Sequence, residues 1–295
     1  MKILSWNCRG LGNPQTVQDL CNIAEKNKFN LVFIMETKLR SKRFEGLKRR
    51  LHCEGCFIVD SVGKGGGMIP LWDANVGIEV VNFSQRHINT WVKDGEVEKK
   101  WLITCLYGHP ETTKRKATWD LMKSFKPQEH DGWCIVRDFN EILVNDEKLG
   151  GRARPKGQME LFMEVFHEGN LYDLGWQGDK YTWSNLHGHE TFTKERLDRV
   201  VANPVLIEFY KEAWVEVMVA STSDHKPLLV HLKKYKVLEG DIRKAFKYEA
   251  NWALEEECEL ILKKAWKQEV LERNQSSKMV ELLNRSKEVL QKWNK

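Results

Sequence analysis

Short apolar runs alternate with amphipathic stretches over the first 232 residues. The run KILSW is a strand candidate, and Asn13-Pro14 then opens a helix, with the amide as cap and proline in the first turn. Val17, Leu20, Cys21 and Ala24 follow at i, i+3, i+4 and i+7, one helix face. LVFIME is a continuous apolar run, the pattern of a strand covered on both faces. SKRFEGLKRRLH reads as a helix with Phe44, Leu47 and Leu51 on one side. After GKGGG come MIPLW, VGIEVVNF, HINTWV and WLITCLY, separated at the short intervals of antiparallel pairing. Pro70 inside MIPLW predicts an edge or bulged strand, because proline cannot donate to a ladder. KRKATWDLMKSF and GQMELFMEVFHEG are helical and flank the strand WCIV. YTWSN, RLDRVVAN, NPVLIEFY, AWVEVMV and SDHKPLLVHL close the series. Strands with interspersed helices predict a layered α/β domain over 1–232 rather than a bundle.

From about Lys233 the pattern changes. EECELILKKAWKQEVLERN and SKMVELLNRSKEVLQKW are charged and helical, with Leu262, Trp266 and Val270, then Leu282, Val289 and Trp293, spaced for a stripe. Residues 233–295 therefore read as a helical linker or tail. Its Trp252, Trp266 and Trp293 are expected to pack on the main domain or on a neighbour. Composition narrows the classes. At 295 residues and 41% hydrophobic, the chain can form one large domain or two ordinary ones. The net charge of +5 permits nucleic-acid binding without demanding it. No stretch approaches the roughly 18 uncharged apolar residues of a membrane span. The start, with Lys2, Asn7 and Arg9, lacks the apolar core of a signal peptide, so an intracellular protein is expected. Cys8, Cys21, Cys105 and Cys134 sit among apolar neighbours and read as small buried hydrophobes of a reducing compartment. His52-Cys53-x-x-Cys56 invites a zinc reading, but a structural zinc site takes four ligands and no second pair follows.

Polar clusters follow several apolar runs: SWNCRG with Asn7, FIMETK with Glu36, CLYGHP with Tyr107, IVRDFNE with Asp138 and Asn140, RLDRV with Asp198, SDHKPL with Asp224 and His225. One such cluster is usually a cap or turn. Many together point to strand ends converging on one sheet edge, where α/β sites form. The residue types suit hydrolysis of a phosphate ester. Glu36 can hold a hard divalent cation, and neutral Asn7 and Asn140 can meet phosphate oxygens without repelling them. Asp138 can orient or deprotonate a water. A cationic His225 can stabilise charge on the phosphorane, with Asp198 orienting it and raising its pKa.

This ordered set resembles the endonuclease/exonuclease/phosphatase superfamily, which includes apurinic endonucleases and DNase I-like enzymes. SWNCRGLGN, METK, YGHPE, RDFNEIL, LGGRARPKGQMELF, KYTWSN, RLDRVVAN and SDHKPL are most similar to the endonuclease domain of plant LINE-type (non-LTR) retrotransposons. The resemblance spans residues 1–232, and FKYEANWALEEECELILKKAW resembles the segment that joins such a nuclease to a reverse transcriptase. It implies a four-layer α/β sandwich, two mixed, mainly antiparallel sheets flanked by helices, with the site at one rim. It implies Glu36 as the main metal ligand, with Asn7 and Asp224 beside it, and Mg²⁺ as the ion, Mn²⁺ substituting. Tyr107 and Asn140 would position phosphate and nucleophile, Asp138 would activate water, and His225, oriented by Asp198, would stabilise the transition state. Thr182 and Ser223 would shape the phosphate site.

The implied partner is DNA, met through phosphates by Arg9, Lys38, Lys64, Arg152 and Arg154. Lys114, Arg115 and Lys116 read as an exposed helix face. A monomer is expected, nuclear if it serves a retroelement. No reverse-transcriptase sequence follows within the 295 residues, so nicking alone is expected. Two other readings are a phosphatase or phosphodiesterase for inositol phosphates or lipid headgroups, and a silent DNA-binding remnant. Two departures bear on activity. Arg137 stands where the superfamily usually has a glycine before the aspartate, and Pro70 replaces an ordinary apolar strand residue. A side chain at 137 can obstruct a close approach and place a cation beside Asp138. Arg137→Gly is expected to nick supercoiled plasmid faster in a metal-dependent assay; equal rates would show that Arg137 weakens nothing.

Overall fold

The computed structural model describes residues 1–40, 44–63, 65–95, 97–188, 191–233, 255–267, 282, 285–290 and 292–293. The chain divides into two compact units, Met1–Tyr235 and Lys236–Lys295. The first unit opens with β1 (Lys2–Asn7), α1 (Pro14–Asn27), β2 (Leu31–Met35), α2 (Glu45–Arg50) and β3 (Gly55–Cys56). Then come β4 (Met68–Trp72), β5 (Gly77–Ser84), β6 (His87–Lys93), β7 (Trp101–Tyr107), α3 (Arg115–Lys123) and β8 (Trp133–Asp138). Next are β9 (Lys148–Leu149), α4 (Lys156–Gly169), β10 (Tyr172–Asp173), β11 (Gln177–Gly178), β12 (Trp183–Ser184) and β13 (Lys194–Glu195). The unit's described elements end with β14 (Asp198–Ala202), α5 (Pro204–Phe209), β15 (Trp214–Val217) and β16 (Leu228–His231).

Asn-Pro pairs start two of the helices. The Asn13 side chain accepts from Gln15 N at 3.0 Å before Pro14 opens α1. Asn203 accepts from Leu206 N at 3.0 Å before Pro204 opens α5. In each case a backbone donor with no partner inside the helix is satisfied.

Among the described residues, β11-β15-β16-β1-β2-β4-β3 form one sheet and β10-β14-β8-β7-β6-β5 a second. Both are mixed: β1 runs parallel to β2 and β7 to β8, while the other pairings within these runs are largely antiparallel. A small sheet, β12-β13-β9, stands apart. The period of two along each strand sorts side chains into layers. Leu31, Phe33 and Met35 of β2 face the same core as Ile103 and Cys105 of β7 and Cys134 and Val136 of β8. Val32 and Ile34 turn the other way, onto Leu20 and Ile23 of α1 and Leu47 of α2. On the far side, Leu102, Leu106 and Ile135 meet Trp119 and Met122 of α3 and Phe162, Val165 and Phe166 of α4. The result is the helix–sheet–sheet–helix sandwich that the sequence implies. Each fully buried Leu, Ile or Phe contributes about 1.5–3 kcal/mol to holding these layers.

Pro70 departs from expectation. Strand β4 lies between β2 and β3, so it is not an edge strand. The Pro70 carbonyl accepts from Phe57 N at 3.1 Å. In a strand, N–H and C=O of one residue point the same way, so the missing donor faces the β3 side, where it leaves one gap between the Cys56–Leu71 pair and the Val59–Met68 bridge.

In the second unit, Leu262 on α6 (Glu256–Lys267) packs with Cys258, Val289, Leu290 and Trp293. Trp266 is half exposed and its indole donates to Ser286 Oγ at 2.8 Å. Trp252 and Val270 lie outside the described residues. Among the described residues, no helix is long and apolar enough to cross a membrane.

The loop after β2 depends on one glycine. Gly67 holds φ +86° and its carbonyl accepts from Thr37 N at 3.2 Å. A Cβ at this position would stand 2.4 Å from Thr37 Oγ1. Gly67→Ala is therefore expected to destabilise the fold by about 1–3 kcal/mol in chemical denaturation, from strain and clash together; an unchanged midpoint would contradict this packing.

Candidate active site

The polar strand ends converge. β1 ends on Asn7, β2 is followed by Glu36, β7 ends on Tyr107 and β8 on Asp138. β14 begins on Asp198, directly opposite Asp138 in register, and β16 is preceded by Asp224-His225. All lie at the same end of the two sheets.

Hydrogen bonds join them into one group. Asn7 Nδ2 donates to Asp138 Oδ2 at 3.0 Å. Asn140 donates twice to Asp138, from its backbone N at 2.9 Å and from Nδ2 at 3.2 Å. Asn140 Nδ2 also donates to Gly108 O at 3.1 Å. His225 Nδ1 meets Asp198 Oδ2 at 2.9 Å, and its Nε2 faces Asp138 Oδ2 at 3.7 Å. The Tyr107 hydroxyl donates to Glu36 Oε1. Thr182 and Ser223 act one step back. Thr182 Oγ1 accepts from Leu197 N at 3.0 Å and Asp198 N at 2.9 Å, fixing the start of β14. Ser223 Oγ donates to Asn7 O at 2.8 Å and accepts from His225 N at 3.1 Å.

Electrostatics follow from burial. Burial opposes charge on His225, but Asp198, Asp138 and the Asp198 hydrogen bond outweigh it and push its pKa up to about 9. The imidazole is thus a cation at neutral pH. Burial also raises Asp138, with the His225 charge opposing and Asp198 reinforcing the rise. Burial, then Glu36 and Asp138, hold the Tyr107 phenol protonated far above its usual range. Burial pushes the Cys8 thiol up to about 12, so it is a core residue and no nucleophile.

A second cluster adjoins the first. Glu36 Oε2 lies 3.7 Å from Arg9 Nη1 and 3.6 Å from Lys38 Nζ. Asp224 Oδ1 is buried without a hydrogen bond and meets Arg9 Nε at 3.2 Å as an ion pair. Arg9, Glu36, Lys38 and Asn140 all hold φ between 49° and 55°. That left-handed backbone is costly for non-glycine residues and gathers at functional sites.

Which atoms could hold a metal is a question of donors. Asp138, Asp198 and His225 each bring a ligand atom within 4.8 Å of the others, a set that could hold an ion. A protonated imidazole has no lone pair to give, so His225 competes with that use. Glu36, Asp224 and the Asn7 amide oxygen are all hard oxygen donors, and the carboxylates already draw two cationic side chains. This second set fits a hard divalent ion.

The remaining candidates divide. Arg9 and Lys38 stand at the rim on these carboxylates, and Arg152 is exposed. Lys114 and Lys116 are exposed as expected. Arg115 is not: it is buried, with Nη1 on Glu141 Oε2 at 2.7 Å. Arg154 is also turned inward, onto Glu141 at 3.0 Å and Glu195 at 2.5 Å, rather than out to a phosphate. Lys64 lies outside the described residues, as does the Arg137 side chain; the Arg137 backbone pairs with Leu106 and Arg199. Exposed His52 and half-buried Cys53 and Cys56 form no metal cluster among the described residues.

Sequence reasoning passed over other participants. Trp6 Nε1 donates to His225 O at 3.0 Å and Trp183 Nε1 to Asp224 Oδ2 at 3.0 Å. A buried indole N–H requires an acceptor, and both tryptophans lie inside quoted motifs, so that signal was present. Arg86 stacks 5.4 Å from the Tyr107 ring centroid, with Nη1 buried and unbonded. No motif marks it.

No family model matches the sequence, and no curated protein matches it. Solved structures do. The endonuclease domain of TRAS1, a telomere-specific non-LTR retrotransposon, aligns at TM-score 0.57 and 13% identity, over 80% of this chain and 99% of that one. An AP endonuclease from Archaeoglobus fulgidus aligns at TM-score 0.60 and 13% identity, over 79% and 99%. The 3′ phosphatase NExo from Neisseria, bound to product DNA hairpin, aligns at TM-score 0.59 and 15% identity, over 79% and 99%. The fold is DNase I-like. The DNase I-like sandwich accounts for the convergence of strand ends; identities this low speak to fold alone.

The raised His225 sets a pH dependence. Its folded pKa of about 9 exceeds the ordinary imidazole value of 6.5 expected in the unfolded chain. The charge pairing is therefore fully stabilising below pH 6.5 and is lost as pH rises through about 9. The wild-type melting temperature is expected to fall across that window, and His225→Gln to flatten the fall; parallel curves would contradict the assignment.

Proposed function

We propose that this chain hydrolyses phosphodiester bonds in DNA, nicking one strand in a divalent-metal-dependent reaction, as the nuclease of a LINE-type element. The observation that carries the reading is the buried string Asp198–His225–Asp138, set at the same rim as Glu36, Asp224 and Asn7. Retroelement origin draws on the motif wording in the sequence and on the TRAS1 endonuclease domain among the structural neighbours.

The roles follow from the contacts. Asp138, raised by burial and gripped by Asn7 and Asn140, takes a proton from the attacking water. Asn140 orients that water and the phosphate. Cationic His225, held by Asp198, faces the charge that builds on the phosphoryl oxygens. A new P–O bond forms from the water oxygen as the P–O3′ bond breaks, and the leaving 3′ oxygen takes a proton from solvent. Tyr107, kept protonated, fixes Glu36 through its hydroxyl. A divalent ion held by Glu36, Asp224 and Asn7 would offset the phosphate's negative charge; Mg²⁺ suits oxygen donors, and Mn²⁺ shares the preference. Arg9, Lys38 and Arg86 supply phosphate contacts at the rim. Thr182 and Ser223 contribute by holding Asp198, Asn7 and His225 in place.

A 3′ phosphatase shares the fold, so removal of a terminal phosphate is the reading to separate. Supercoiled plasmid and a 3′-phosphorylated oligonucleotide are assayed side by side with Mg²⁺. Asp138→Asn and His225→Ala are expected to slow nicking by about 10²–10⁴-fold while DNA affinity stays within about twofold. A wild type that nicks no faster than these variants would support a silent remnant. Release of phosphate with the plasmid intact would support the phosphatase.

A further inference from the structure

Beneath Asn140 lies a charged group that no role above uses. Glu141 is buried and accepts from Arg115 Nη1 at 2.7 Å and Arg154 Nη1 at 3.0 Å. Arg154 continues to Glu195 Oε2 at 2.5 Å, and Lys148 meets Glu195 Oε1 at 2.5 Å. Both arginines also hold backbone carbonyls. Arg154 Nη1 donates to Asn140 O at 3.2 Å. Arg115 Nε donates to His109 O at 3.2 Å and its Nη2 to Pro110 O at 3.0 Å. The Arg154 backbone is braced in turn by the Asn145 side chain, at 2.8 Å and 3.3 Å.

These bonds fasten the two loops that bracket the Asn140 amide. One carries Asn140 itself, in a left-handed backbone at φ 53°. The other carries Gly108, whose carbonyl accepts from that amide at 3.1 Å. Glu141 is the common anchor of the two guanidinium groups. The geometry points to Glu141, clamped by Arg115 and Arg154, as a positioning residue that fixes the Asn140 side chain against Asp138. This rests on the nuclease reading for its kinetic consequence and on contacts alone for its structural one. The structural need is clear: a left-handed asparagine between two loops keeps one orientation only if both loops are held. A full charge on each partner makes the clamp stiff, and loss of one partner leaves the other buried and unpaired.

The test uses the full chain with Glu141→Gln, which keeps shape, and Arg154→Lys, which keeps charge, each beside Asn140→Ala. Glu141→Gln is expected to lower kcat for plasmid nicking about tenfold to a hundredfold, with KM within about twofold, because misplaced groups cost rate more than binding. Arg154→Lys is expected to retain more kcat than Arg154→Ala. Glu141→Gln added to Asn140→Ala is expected to cost nothing further, since it acts through Asn140. Additive losses, a loss confined to KM, or wild-type kcat in Glu141→Gln would each overturn the proposal. The readout that needs no activity is the ¹⁵N side-chain amide signal of Asn140. It is expected to shift in Glu141→Gln while that of Asn7 stays; an unmoved Asn140 signal would overturn the proposal. If wild type nicks nothing, the nuclease reading fails and the amide signal alone decides this one.

Discussion

The hydrogen bond from Asn7 to Asp138 joins the two sheets, and the site depends on that join. Asn7 ends a strand of the first sheet and Asp138 a strand of the second. The same cross-sheet pairing occurs twice more, between Tyr107 and Glu36 and between Asp198 and His225. Between the sheets the packing is largely apolar, so the polar atoms at this seam are satisfied mainly by one another. In that low dielectric each bond is stronger and each vacancy more costly than in water. Asp138 and Asp198 stand directly opposite on neighbouring strands, an arrangement that would repel. His225 relieves the repulsion by carrying positive charge between them. The charge on His225 thus both completes the candidate site and lets the two carboxylates face each other.

Strain and support are separated in space. Four left-handed residues stand at the rim, Arg9, Glu36, Lys38 and Asn140, while others such as Lys28 and Asn170 simply end helices. The rigid charge networks lie just behind. One is the clamp on Glu141. Another holds β14, where Arg199 is fully buried against Glu147 and Asp173, and Arg196 meets the same two carboxylates. Arg196 and Arg199 flank Asp198 in sequence, so the carboxylate that orients His225 sits on a strand pinned from beneath. Buried ion pairs add little net stability, because desolvation offsets their attraction. Their effect here is to restrict geometry, while the apolar layers supply the free energy.

Much of the fold was legible because burial on two faces leaves an unbroken apolar run. LVFIM is apolar throughout since β2 has a core on either side, and the sandwich follows from runs of that kind. The candidate site residues that converge were legible because they are polar at one end or the other of an apolar run, and the resemblance ordered them. Arg115 and Arg154 were not. A basic residue looks the same in sequence whether it faces water or a buried glutamate, and their partners Glu141 and Glu195 lie 26 and 41 residues away. Pro70 was misread for a related reason. Its lost donor matters only on one side of the strand, and a two-residue neighbour cannot be seen in a local pattern. Arg86 was invisible because it precedes a strand, where motif reasoning looks for strand ends.

The buried arginines change how the net charge of +5 is to be understood. Arg115, Lys148, Arg154, Arg196 and Arg199 are spent on internal carboxylates, so they contribute little to the field outside. Around the site the outward cations among the described residues reduce to a short set, including Arg9, Lys38 and Arg152. Arg9 and Lys38 are in turn partly neutralised by Glu36 and Asp224. Counterion release scales with the number of phosphates neutralised, so in the proposed complex with DNA few free cations make a modest electrostatic contribution. On the proposed nuclease reading, selection of a strand falls to the shape of the rim and to the deformability of the duplex. That division suits a fold whose solved examples include an endonuclease domain, an AP endonuclease and a 3′ phosphatase. The seam between the sheets carries the candidate site, and the loops above it frame the approach to it.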